Sequence, residues 1–181
     1  MTFHLAQCNI VKLKASLDSP LVAGFVAALD PINAVADSAP GFVWRLKTDD
    51  GDATSIRVFA DDQTLLNMSV WESMEALSHY VYRSGHKDVL RQRRQWADRF
   101  EGVQSTMSWI RTGTVPEPSE AVARLEYLSG VGPSAYAFTF QSPFEARRPG
   151  VVLAQLRHHR QRFREPDGHV VFPLVNATRS R

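Results

Sequence analysis

The chain holds a single cysteine, Cys8, among 181 residues. That excludes an intrachain disulfide and a cysteine-built zinc site, and it suits a reducing cytoplasm. Long apolar runs are also missing. The longest, Leu21 to Leu29 with Gly24 inside it, is nine residues, whereas a membrane-spanning helix needs about 20. The opening Met-Thr-Phe-His-Leu-Ala-Gln has neither a basic leader nor an apolar signal core. The expectation is a cytoplasmic protein with no membrane partner. P-loop, Gly-x-Ser-x-Gly and His-Glu-x-x-His motifs do not occur. Gly130-Val131-Gly132-Pro133-Ser134-Ala135 matches the loose dinucleotide fingerprint, but it follows a helical pattern and precedes a strand-like one, the reverse of the required order. His79 and His86 are seven residues apart, roughly 10 Å along a continuous helix, and cannot share one zinc. No metal site and no cofactor is expected.

What is present is the composition of an ordinary globular domain: 44% hydrophobic and 22% charged residues. The net charge of +2 hides an asymmetry. Residues 1–144 carry 13 Lys and Arg against 16 acids, while residues 145–181 carry 8 Arg against 3 acids. The chain therefore reads as a mildly acidic body, 1–144, with a loosely attached Arg-rich tail, 145–181. Such a tail could bind nucleic acid, but the body offers no nucleic-acid module, so that partner is not expected.

The body alternates strand and helix patterns. Phe3 to Ile10 reads as a strand. Asp18 or Ser19 caps a helix with Pro20 at its first position, whose Leu21, Val22, Phe25, Val26 and Leu29 share a face, and Pro31 either kinks it or starts a second short helix through Ala36. Phe42 to Lys47 is a strand with Phe42, Trp44 and Leu46 on one face. After the Asp49-Asp50-Gly51-Asp52 turn, Thr54 to Phe59 reads as the return strand of a hairpin. Leu65 to Trp71 is strongly β-prone. Ser73 caps a helix through Val81, and helix resumes at His86. Gln104 to Arg111 is a strand, Ser119 to Leu128 a short helix, and Ala135 to Phe140 a strand. Without the extra hairpin strand, the core is α+β with the βαββαβ ferredoxin-like plan, followed by a C-terminal α-β extension.

Several runs carry a resemblance: His4-Leu5-Ala6-Gln7, Phe42-Val43-Trp44-Arg45-Leu46, Ser55-Ile56-Arg57-Val58-Phe59, Asn67 through Ser73, Val81-Tyr82-Arg83-Ser84-Gly85-His86 and Arg91 through Trp96. Together they resemble a bacterial family of uncharacterised proteins related to the dimeric α/β-barrel superfamily, which contains the antibiotic-biosynthesis monooxygenases. The resemblance runs from about His4 to Phe144. It implies a homodimer with two apposed four-stranded sheets, and a ligand cavity between sheet and helices in each subunit.

His86 starts a helical segment one turn before Val89 and Leu90, on the apolar side. It reads either as a general base, since imidazole titrates near neutrality, or as a packed core or cap residue. Asn67, Ser69 and Trp71 share one strand face, opposite the aliphatic Leu66, Met68 and Val70. That polar row lines a wet pocket, or faces solvent or a second subunit. Trp44, Trp71, Tyr82 and Trp109 are candidates to stack on a planar ligand, with core packing as the alternative. Arg45 and Arg57 pair with Asp residues or orient an acidic ligand. Cys8 alternates with Ala6 and Ile10 and reads as a buried structural thiol. The Arg91-Gln92-Arg93-Arg94 run reads as a solvated helix face.

The resulting expectation is a small-molecule pocket protein. One form is a cofactor-independent monooxygenase, isomerase or cyclase acting on an aromatic or polyketide-like metabolite, with His86 as catalytic base and Asn67 and Ser69 orienting the substrate. The alternative is a non-catalytic small-molecule binding protein.

Overall fold

A computed structural model describes residues 2–100 and 102–146. Strand β1 (Phe3–Lys12) leads through a single 3-10 turn (Pro20–Val22) into helix α1 (Ala23–Asp37). Strands β2 (Phe42–Arg45) and β3 (Thr64–Trp71) follow, then helices α2 (Met74–Arg83) and α3 (His86–Gln92), strand β4 (Ser105–Arg111) and helix α4 (Pro118–Val131). The four strands form one antiparallel sheet in the order β2-β3-β1-β4. That order, with α1 between the first two strands and α2–α3 before the last, is the split βαβ, ferredoxin-like plan. Of the predicted tail, only Glu145 and Ala146 are described, and its other features lie outside the described residues.

Alternation decides the layers. On β1, Leu5, Gln7, Asn9 and Val11 face one way, and Ala6, Cys8 and Ile10 the other. Cys8 and Ile10 of the second set join Leu66 and Met68 of β3 in an apolar cluster closed by Ala121 and Leu125 of α4, with Trp44, Val58, Phe59, Phe100 and Val103 at its margin, while Ala6 packs with Val70 and Ile110. Helix α4 thus packs on the aliphatic sheet face. Helices α1, α2 and α3 lie over the first set, the mixed face.

Two helix caps follow their sequence signals: Ser19 Oγ accepts from the Leu21 amide at 3.3 Å, and Ser73 Oγ from the Ala76 amide at 3.2 Å. Gly41 lies in the left-handed region (φ 76°), and a Cβ there would come within 2.7 Å of Ala76 Cβ. Only glycine lets the α1–β2 turn pass so close to the start of α2.

Four expectations are corrected. First, of the two readings of Pro31, the second short helix is ruled out, since α1 continues through it to Asp37. Pro31 and Ala27, whose carbonyl loses its donor, are both exposed, so water satisfies that oxygen. Second, the buried stripe of this helical region is Val22, Phe25 and Ala36, with Leu29 half-buried, while Leu21 and Val26 are exposed. The stretch Pro20–Asp37 is long and apolar enough to cross a membrane by length and composition, a possibility the nine-residue count missed. Here its Val22 and Phe25 pack on Val11 and Leu65 of the sheet.

Third, Thr54 to Phe59 is not a strand. Asp52 Oδ1 accepts from both the amide and the hydroxyl of Thr54 at 2.7 Å, and Ile56 N–H bonds the Ala53 carbonyl. These local turns take the backbone groups a ladder would need. The strand that returns beside β2 is β3. Fourth, Ala135 to Phe140 supplies isolated bridges rather than a strand: Thr139 bridges Ser142, and Met107 and Phe138 exchange two backbone hydrogen bonds, at 2.8 and 3.0 Å, on the outer edge of β4.

Candidate functional site

The mixed sheet face is apolar at both ends and polar in the middle. Across β1 and β3, Leu5 pairs with Trp71, Gln7 with Ser69, Asn9 with Asn67 and Val11 with Leu65. The Leu5–Trp71 end packs with Leu77, Met107 and Phe138, and the Val11–Leu65 end with Val22, Phe25 and Trp96. Between these two clusters the helices do not close on the amide and hydroxyl row. A cavity of about 420 Å³ remains there, bounded by the sheet and by α1, α2 and α3. That is ample for a two- or three-ring organic molecule.

The floor is held in a directed hydrogen-bond chain. Trp71 Nε1 donates to Ser69 Oγ at 2.9 Å, Ser69 Oγ to Gln7 Oε1 at 3.0 Å, and Gln7 Nε2 to Asn9 Oδ1 at 3.0 Å. Linked side chains of this kind fix one another's rotamers.

An aromatic series runs from the floor to the roof. Phe42 meets Trp71 edge-on at 5.4 Å, Trp71 stacks on Tyr80 at 4.9 Å, and Tyr80 meets the His86 ring at 4.8 Å. Ser84 sets the position of His86, because its hydroxyl donates to the Tyr80 carbonyl at 2.6 Å and accepts from the His86 amide at 3.2 Å. One side chain thus ends α2 and starts α3.

Burial pushes the His86 imidazole below its ordinary 6.5, partly offset by the Val81 backbone. The ring is neutral at pH 7, the form a base requires. Burial likewise pushes the Tyr80 phenol up to about 12, so it stays protonated. Two buried polar atoms on the cavity wall have no hydrogen-bond partner: His86 Nδ1 and Gln104 Nε2. Buried polar atoms are normally paired, so two orphans in residues that line one cavity stand out, although both atoms lie just behind its surface.

A family model described as "Domain of unknown function (DUF3291)" matches residues 4–152. The chain belongs to that family. No curated protein matches the chain. Among solved structures it is similar to SnoaB, a cofactor-independent oxygenase from Streptomyces nogalater, at 18% identity and a TM-score of 0.40, over 64% of this chain and 100% of that one. It is similar also to PA3566 from Pseudomonas aeruginosa (9%, TM-score 0.42, covering 63% and 98%) and to NE2512, a protein of unknown function from Nitrosomonas europaea (9%, 0.41, covering 65% and 96%).

In this DUF3291 chain the cavity is bordered by His86, Asn67, Ser69, Trp71 and Tyr82. Tyr82 sits at the rim, half exposed, edge-on to Phe140 at 5.7 Å. Trp44 and Trp109 do not border it. A β-bulge at Val43 is the reason for Trp44: Phe42 pairs with Trp71, but Trp44 pairs with Val70 and Arg45 with Ser69. The extra residue reverses the alternation, so Trp44 turns to the aliphatic face and Arg45 to the cavity. Trp109 is covered by the segment after α4. Its indole packs near Phe138, and its N–H donates to the Phe144 carbonyl at 2.6 Å.

Arg45 is held by both carboxylate oxygens of Asp37, at 2.7 and 3.1 Å, and Arg57 by Asp62 at 3.3 Å, so Asp pairing accounts for both. The Arg45 hydrogen bond holds the Asp37 carboxyl below the usual range. Cys8 is buried and its thiol pushed up to about 12 by that burial, the inert state expected of it. Among the described residues no group of His, Cys, Asp or Glu could hold a metal ion. Sequence reasoning missed Gln7, Asn9, Gln104 and Arg93. The signal for the first two was legible: two amides in the middle of β1 at the spacing of one face.

Proposed function

We propose that the cavity holds a small planar organic molecule and that His86 acts on it as general base without a cofactor. The observation that carries this reading is the neutral, buried His86 ring, whose Nδ1 lacks a partner on the wall of a 420 Å³ cavity with a polar floor. The imidazole would take a proton from an acidic C–H, leaving the electron pair delocalised over the substrate's ring system. Return of the proton at another carbon gives isomerisation, attack within the molecule gives cyclisation, and capture of dioxygen gives oxygenation. Asn67 and Ser69 would orient the substrate's oxygens, and Tyr82 would border its rings, with Trp71 stacked behind Tyr80 as support. The homodimer implied by the family resemblance and the cytoplasmic location expected from the single cysteine belong to the same proposal, and sedimentation at tens of micromolar tests the dimer.

A second reading is a non-catalytic binding protein using the same cavity. It is favoured by one fact: no carboxylate is hydrogen-bonded to the imidazole among the described residues, so no acid supports it as in a triad.

A thermal-shift screen of one- to three-ring aromatic compounds tests the shared premise. A ligand at 100 times its Kd adds about 2.7 kcal/mol, which raises the melting temperature by roughly 5–11 °C for a chain of this size. Asn67→Phe, which fills the cavity, should lose that shift. A ligand that stabilises both forms equally binds elsewhere and overturns the reading. Turnover of the best ligand, lost in His86→Ala, separates enzyme from binder.

A further inference from the structure

The cavity wall has a one-sided charge pattern. The chain has 19 Asp and Glu residues, yet none lies among the described residues that line the cavity. Two arginines do. Arg45 is already matched by the bidentate contact with Asp37. Arg93 is half-buried and has no ion pair or hydrogen bond among the described residues. An unmatched guanidinium beside the apolar wall formed by Trp96 and Phe25 faces little competition from water, so its field on a guest is weakly screened. Gln104 Nε2 is an unmet donor on the same wall and asks for an acceptor oxygen.

Spacing adds a length. His86, Val89, Leu90 and Arg93 recur at three and four residues and all face the cavity, so they form one helical stripe. His86 and Arg93 are about 10 Å apart along the axis. A guest that touches both is about two fused rings long with an oxygen substituent at its end.

Resting on the reading of the cavity as the ligand site, we propose that it selects an anionic aromatic acid: a planar two-ring molecule whose carboxylate lies against Arg93, with a further oxygen accepting from Gln104 and its far ring edge beside His86. Arg93 is then the specificity-determining residue, and its charge, with no acid on the wall to offset it, disfavours cationic ligands.

The test compares 2-naphthoate with its uncharged isostere 2-naphthamide by calorimetric titration of the full chain at low ionic strength. The expected result is at least tenfold tighter binding of the naphthoate. Arg93→Gln should weaken naphthoate at least tenfold and leave naphthamide within twofold. Arg91→Gln, exposed and paired with Asp88 rather than facing the cavity, should change neither. Equal affinity for the two probes, or equal weakening of both by Arg93→Gln, overturns the anionic ligand while leaving the cavity as the site. Naphthoate binding that survives Asn67→Phe lies outside the cavity and overturns both readings. Failure of naphthoate to bind the folded wild type overturns the two-ring acid alone, because the broader screen reads the cavity independently.

Discussion

The indole N–H of Trp71 donates to the hydroxyl of Ser69, two residues back on β3, at 2.9 Å. Trp71 is fully buried, so this hydroxyl is what allows an indole to stand inside the sheet face. Ser69→Ala leaves the N–H unpaired and should cost about 1–3 kcal/mol, read from urea unfolding at constant m-value. Ser69→Thr keeps the oxygen and should cost less. Equal loss in the two variants would show that packing, not the hydrogen bond, holds the ring.

His86 makes stability depend on pH. Burial holds its folded-state affinity for protons below the ordinary 6.5. Below that pH the unfolded chain binds the proton more readily, so stability falls as pH drops through 6.5 and rises again toward neutrality. Between pH 7.5 and 5 the wild type should therefore lose more stability than His86→Gln. Parallel denaturation curves for the two proteins would show that the ring is open to water. A base of this kind also predicts activity that rises with pH below neutrality and levels above it.

Cys8 should resist thiol reagents. Its thiol sits at about 12 through burial, so at pH 8 almost no thiolate is available for attack. Iodoacetamide should label the chain only after denaturation, as read by mass. Rapid labelling of the native protein would place the aliphatic sheet face in contact with solvent.

Trp44 separates packing from binding. It lies in the cluster behind the sheet with Ala6, Val70 and Ile110. Trp44→Ala should cost roughly 2–4 kcal/mol as a partly buried large-to-small change, with affinity for the cavity ligand unchanged in the folded protein. Loss of affinity at preserved fold would mean that both faces of the sheet contribute to the site.

The elements legible in the sequence are those in which one periodicity ran unopposed. The alternation of Leu65 to Trp71, the cap at Ser73 and the stripe through α4 each had one reading. The failures have local causes. Thr54 to Phe59 has strand-like residues, but the Asp52 carboxylate claims the backbone at its start. The bulge at Val43 leaves no trace in composition, and it alone exchanges Trp44 for Arg45 on the cavity side. Arg93 is hidden because a run of arginines on a helix reads as solvated until the direction of each is known. The polar row at Asn67 and Ser69 was visible, but only the placement of α1 to α3 decides that it opens on a cavity rather than on bulk water.

The sheet ends differently on its two sides. At one side β2 is four residues long, too short a template to recruit another chain. At the other, β4 offers seven residues, and among the described residues only the exchange between Met107 and Phe138 occupies its outer ladder. Phe138, fully buried, works as a plug that keeps those free amides and carbonyls from a foreign strand. Aggregation of this protein under stress should therefore begin where that plug lifts, well before the hydrophobic core opens, and Phe138 would guard solubility more than stability.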